Sequence, residues 1–203
     1  MADKTYIFNL ALIRLGSTPI LDADSDTSKK GVILQTVYAE SLKLALADHS
    51  WNFAIRRAIL AQDAVAPIFG FTYAYVLPTD PLCLRVLGIC QGSNTHHAHE
   101  DSDIDPSIVY RIEGGLLLTD ESTVKIKYIA FIDNEGAFSP GFVSAFSYHL
   151  AAESAYGITG NGSLKTAIME EYTNIGLPKA KSLDAQEGTP ETYENNRWIE
   201  SRV

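Results

Sequence analysis

The densest collection of ligating side chains is His96-His97-Ala98-His99-Glu100-Asp101-Ser102-Asp103-Ile104-Asp105. Imidazole nitrogens and carboxylate oxygens crowded together are the donor set of a divalent metal. A catalytic metal also needs ligands that converge from rigid elements. Adjacent histidines on a stretch entered through Gly92-Ser93-Asn94 diverge, so the segment reads first as a solvated loop. The alternative is a small metal-dependent hydrolase centred on His96, His97 and His99 with Asp101.

Other chemistry-bearing residues are more scattered. His149 stands four residues before Glu153, the spacing of a base and its orienting carboxylate on one helix face. With no nucleophile near in sequence, the pair reads as a helix-surface hydrogen bond or a subunit contact. Cys83 and Cys90 have no neighbouring histidine and no metal-ligand spacing, which fits small buried hydrophobes in a reducing compartment. Gly157-Ile158-Thr159-Gly160-Asn161-Gly162-Ser163 has the glycines of a phosphate loop. It lacks the lysine that such a loop ends on and follows a helix instead of a strand, so it reads as a helix–helix turn. Arg56-Arg57 is a compact basic pair suited to ion pairs or an inter-subunit contact. No catalytic, cofactor or metal site emerges from these, and an interaction protein is expected instead of an enzyme.

The elements that must position these residues follow from periodicity. A helix is expected over 3–16, capped by Asp3, striped by Tyr6, Leu10 and Ile13 with Ile7 and Ala11 beside them, and stopped by Gly16. After an acidic link over 22–26, a second helix starts near Thr27 or Ser28 and buries Leu34, Tyr38, Leu42 and Ala45. Alternation then predicts strands over 51–57, 71–77 and 82–90, and a meander over 108–112, 115–118 and 123–132. In the last of these Val124, Ile126, Tyr128 and Ala130 share a face opposite Lys125 and Lys127. Ser139-Pro140 opens a helix striped by Phe142, Phe146 and Leu150. A further one from Ser163 carries Leu164, Ile168, Tyr172 and Ile175 and is kinked or restarted at Leu177-Pro178. The pattern implies an α+β chain: terminal helices over 1–50 and 139–187 forming a bundle, an antiparallel β lobe inserted over 51–138, and an extended tail over 188–203.

Composition bounds the function. The chain has 203 residues, of which 46% are hydrophobic, enough to bury a core and to exclude a disordered or fibrous protein. Its 25 acidic and 16 basic residues give a net charge of −9, which argues against coating nucleic acid or an anionic membrane. Met1-Ala2-Asp3-Lys4 does not open a signal peptide, and no apolar run spans a bilayer, so a cytoplasmic product is expected.

Three blocks in order then carry a resemblance: Leu10-Ala11-Leu12-Ile13-Arg14-Leu15-Gly16-Ser17-Thr18-Pro19-Ile20, His49-Ser50-Trp51-Asn52-Phe53-Ala54-Ile55-Arg56-Arg57, and Phe71-Thr72-Tyr73-Ala74-Tyr75-Val76-Leu77-Pro78-Thr79-Asp80. With Tyr110-Arg111-Ile112-Glu113-Gly114 and Leu118-Thr119-Asp120 following, the chain resembles the tail tubular protein A family of short-tailed bacteriophages to about residue 187. The resemblance implies a virion head-to-tail adaptor with no catalytic residues and no cofactor. Its copies would form a dodecameric ring that joins the portal to a nozzle of the tail tubular protein B type and lets genome DNA pass. Tyr193, Arg197, Trp198, Ile199 and Arg202 would then anchor the tail on the portal or on a neighbouring subunit.

Overall fold

Asp3 starts the first helix, α1 (Lys4–Arg14), by accepting from Tyr6 N at 2.6 Å. Gly16, at φ 65°, ends it: the amides of Gly16 and Ser17 turn back to the carbonyls of Ile13 and Leu12, a Schellman motif that only a residue at ease with positive φ can close. The computed structural model describes residues 2–90 and 104–187. It is 47% helical and 19% strand, an α+β protein as the sequence implied.

The buried face of α1 is only part of the expected one, the side that carries Ile7 and Ala11. Ile7, Phe8, Ala11 and Leu12 are buried, whereas Tyr6 and Ile13 of the expected stripe are 54% and 60% exposed. Both stripes are apolar, and aromatic packing decides between them: Phe8 meets the Tyr38 ring edge-on at 5.5 Å, and Tyr38 meets Phe146 the same way. Helix α2 (Lys29–Ala47) buries Leu34, Tyr38, Leu42 and Ala45 as expected, with Ser28 as its cap. The acidic link before it is tied down by polar side chains. Asn9 brackets the backbone of Ile20, and Thr5 Oγ1 accepts from Ala23 N at 3.0 Å.

Helix α3 (Pro140–Thr159), capped by Ser139 and closed by Gly160 at φ 72°, is the axis of the bundle. Helices α1, α2, α4 (Gly162–Glu171) and α5 (Leu177–Asp184) all pack on it. Between α4 and α5 the chain makes a π-helical turn, Tyr172–Gly176. Pro178 cannot donate to the helical ladder, and the wider turn accommodates it without a break. The extra residue rotates the face, so Ile175, expected in the stripe after Tyr172, points to solvent.

Among the described residues the strands form two three-stranded antiparallel sheets and not a meander. β1 (Ile55–Ile59), β6 (Lys125–Ala130) and β3 (Cys83–Ile89) make the first in that order; β2 (Tyr73–Val76), β5 (Leu116–Thr119) and β4 (Tyr110–Glu113) make the second. Gly114 and Gly115, at φ 58° and 82°, close the two-residue β4–β5 turn, the backbone hand that suits a tight hairpin. Where a strand was expected from Trp51, a 3-10 turn (Asn52–Ala54) precedes β1. Trp51 is fully buried among the helices and its indole N–H donates to Ala45 O at 2.9 Å. The large–small alternation over 51–54 thus reflects Trp51 and Phe53 stacking together on the bundle, not a pleat.

Sheet β1-β6-β3 is the middle layer. Ile129 of β6 belongs to the helical core, while its neighbours Ile126, Tyr128 and Ala130 belong to the core shared with the second sheet. Adjacent strand residues face opposite ways, so one strand supplies both hydrophobic clusters.

Candidate functional site

The polar residues with the most elaborate surroundings lie where α2 runs into β1. Asp184, at the end of α5, is almost fully buried and accepts from Asn52 N at 3.1 and 3.3 Å, while Asn52 Nδ2 donates to Asp184 O at 2.7 Å. His49 Nε2 stands 3.3 Å from Asp184 Oδ2, and the His49 ring meets Trp51 edge-on at 4.9 Å. Burial lowers the His49 pKa, opposed by the Asp184 carboxylate. One layer deeper, Tyr172 donates to Asp48 Oδ2 at 2.5 Å, and its ring packs edge-on against His149. Desolvation, then the Asp48 hydrogen bond, raises the Tyr172 pKa far above that of a free phenol.

This cluster brackets the C-terminal helices onto the bundle–sheet joint. A histidine–carboxylate pair such as His49–Asp184 could orient a base, but Ser50 does not bond to it among the described residues: its Oγ accepts from Arg85 at 3.1 Å. Sequence reading missed the His49–Asp184 pair because Asp184 lies far along the chain, 132 residues beyond Asn52, which it also bonds; the only local hint was His49 itself, two residues before a tryptophan.

Several sequence candidates change character. His149 is not on a helix surface: it is buried, its Nδ1 has no hydrogen-bond partner among the described residues, and burial lowers its pKa against the opposing pull of Glu153 and Asp48. Glu153 pairs outward with Lys165 at 3.1 Å. Cys83 and Cys90 are half-buried, and burial raises the pKa of the Cys83 thiol. Segment 157–163 is the α3–α4 turn, with Asn161 capping α4. Arg56 donates to the carbonyls of Phe53 and Ile55 and, with Asn52, Ile55, Arg57 and Lys127, lines an open hollow of about 480 Å³.

Among the described residues no three histidine, cysteine or acidic side chains are placed to hold a metal. The His96, His97, His99 and Asp101 cluster lies outside them, as do Tyr193, Arg197, Trp198, Ile199 and Arg202. No helix among the described residues is long and apolar enough to cross a membrane. No known protein family and no curated protein matches the chain.

What the described surface offers instead is contact area. Ile68 and Phe69 are 97% and 87% exposed on the segment between β1 and β2, with Val65 beside them. On α1, Tyr6 and Ile13 add a second apolar face. Apolar groups clustered on a surface mark interaction sites more often than pockets for small molecules.

Proposed function

We propose that the chain is a virion structural protein, a head-to-tail adaptor whose copies close into a dodecameric ring between portal and tail nozzle, with genome DNA passing through. The observation that carries this reading is the order of the sequence blocks that resemble tail tubular protein A. The middle block, His49 to Arg57, forms the joint between bundle and sheet, where a change of residue type would disturb both. Net charge supports the reading from another side: at −9 per copy, a ring repels the DNA it encloses and avoids the salt-dependent adhesion of a basic lining.

In this arrangement the helices over 1–50 and 139–187 supply lateral contacts, and α1 has an apolar face to give. The strand region over 51–132, with the loop over 91–106, faces the nozzle, and the tail residues Tyr193, Arg197, Trp198, Ile199 and Arg202 grip the portal or a neighbouring subunit. Purified protein mixed with its portal should give closed rings by electron microscopy. Folded protein that leaves the portal bare would overturn the reading. Replacing 96–105 with a Gly/Ser linker should spare portal docking and weaken nozzle attachment; the reverse result would invert the orientation.

A further inference from the structure

Charge is segregated between the two sheets. The segments that build β1-β6-β3, residues 51–59, 81–90 and 125–132, contain Arg56, Arg57, Arg85, Lys125 and Lys127 and not one acidic residue. The segments around β2-β5-β4, residues 60–80 and 104–124, contain Asp63, Asp80, Asp105, Glu113, Asp120 and Glu121 against a single base, Arg111. A chain of net charge −9 therefore carries +5 on one sheet and −5 on the other.

Each charged region also holds a surface feature, and their shapes are opposite. On the basic sheet is the hollow lined by Asn52, Ile55, Arg56, Arg57 and Lys127. Arg57 pairs with Lys127 across β1 and β6 in the same register series as Ile55 with Ile129, so that pair lies on the sheet face that looks toward the helices. On the acidic side is a knob: the uncharged run Ala64-Val65-Ala66-Pro67-Ile68-Phe69-Gly70, entered at Asp63 and fastened at its exit by Asp120, which accepts from Thr72 N and Oγ1. Ile68 and Phe69 are its most exposed side chains. The second sheet, to which the knob is fastened at Thr72, packs on the opposite face of β1-β6-β3, so the Arg57–Lys127 side of the hollow faces away from it.

We infer that the acid-rimmed knob of one copy seats in the basic hollow of a second copy, giving a head-to-tail association. A contact between two different patches of the same chain repeats until it closes into a ring or extends as a filament. Opposite charge at the rims sets orientation and speeds encounter, while Ile68 and Phe69 contribute the apolar area buried against Ile55 and the aliphatic stems of the bases. This deepens the ring reading, and its place in an assembly rests on that reading; the contact itself is a property of the free protein.

The test uses two full-length variants. Arg56→Glu/Lys127→Glu spoils the hollow and keeps the knob; Ile68→Ser/Phe69→Ser spoils the knob and keeps the hollow. By sedimentation equilibrium, wild type should self-associate with rising concentration and each variant should stay monomeric. An equimolar mixture should form a one-to-one dimer and stop there, because only one knob–hollow pair remains. Adding Asp63→Arg/Glu121→Arg to the hollow variant should restore self-association by exchanging the charges, which also guards against a variant that fails for lack of folding. Association that persists in either variant, or a mixture with no dimer, overturns the inference. So does a wild type that associates only after residues 188–203 are deleted, which would assign the hollow to the chain's own C-terminal segment. So does a wild type that stays monomeric yet retards a short DNA duplex through Arg56 and Lys127, which would assign it to phosphates. Portal rings that still form from the hollow variant sink this contact and leave the adaptor reading standing; knob–hollow dimers with no ring on the portal do the reverse.

Discussion

A buried histidine is tolerable while it stays neutral, and His149 sits under that constraint. Its Nδ1 has no hydrogen-bond partner among the described residues and its ring lies against Tyr172, so protonation would place an ill-solvated charge beside α4. Burial holds its pKa below the value near 6.5 of an unfolded chain. As pH falls, the unfolded state takes up the proton first, so stability is whole above about pH 6.5 and is lost as pH drops through the folded pKa. His49 shifts the same way and adds to the loss. His149→Leu should therefore flatten part of the decline in urea midpoint between about pH 7.5 and about pH 5, leaving the His49 share. Identical slopes in variant and wild type would show that His149 titrates normally. Its neighbour gives a pH-independent check: Tyr172→Phe removes the hydrogen bond to Asp48 and should cost about 1–2 kcal/mol at neutral pH.

Helix α2 shows where propensity and packing disagree. Alanine normally improves on glycine in a helix by about 1 kcal/mol, so Gly31 looks like a weak point. A Cβ at Gly31 would sit 2.8 Å from Asp26 Cβ and 3.0 Å from Asp26 O, and the link that contains Asp26 is tied to the bundle through Gln35. Gly31→Ala is thus expected to destabilise by about 1–3 kcal/mol, an overpacking cost that exceeds the propensity gain. A higher melting temperature for the variant would show that the link moves freely. Leu42→Ala, in the centre of the same helix, should cost about 2–5 kcal/mol as a large core truncation. Helices α2 and α3 were legible in the sequence because one apolar stripe coincided with a Ser cap at Ser28 and Ser139. On α1 two stripes competed, and only the Phe8–Tyr38–Phe146 contact, made across three helices, chooses between them. The strands were legible as strands, but not the partition into two sheets, because β1 pairs with β6 some seventy residues later and no local signal encodes that choice. The His49–Asp184 bracket was hidden for the same reason.

The two cores are joined through β6, which gives Ile129 to one and Ile126 and Tyr128 to the other. Such sharing favours a single cooperative unit over two lobes that melt apart. Trp51 reports on the helical core, where it is fully buried, and deleting residues 189–203 removes Trp198, leaving Trp51 as the chain's only tryptophan. The described residues tie the end of the helical bundle down by themselves: Asp184 accepts from Asn52, Tyr172 donates to Asp48, and Ala180 is buried among the helices. Truncation should therefore leave the melting temperature unchanged, with Trp51 fluorescence and far-ultraviolet circular dichroism falling in one coincident transition. If Tyr193, Trp198 and Ile199 serve as partner anchors, the same truncated protein should no longer dock on the portal, since aromatic anchors dominate the energy of an interface. A lower melting temperature would instead place the tail in the protomer's own core. Separate transitions for Trp51 and for the backbone would show that the bundle and the second sheet fold independently, despite the strand they share.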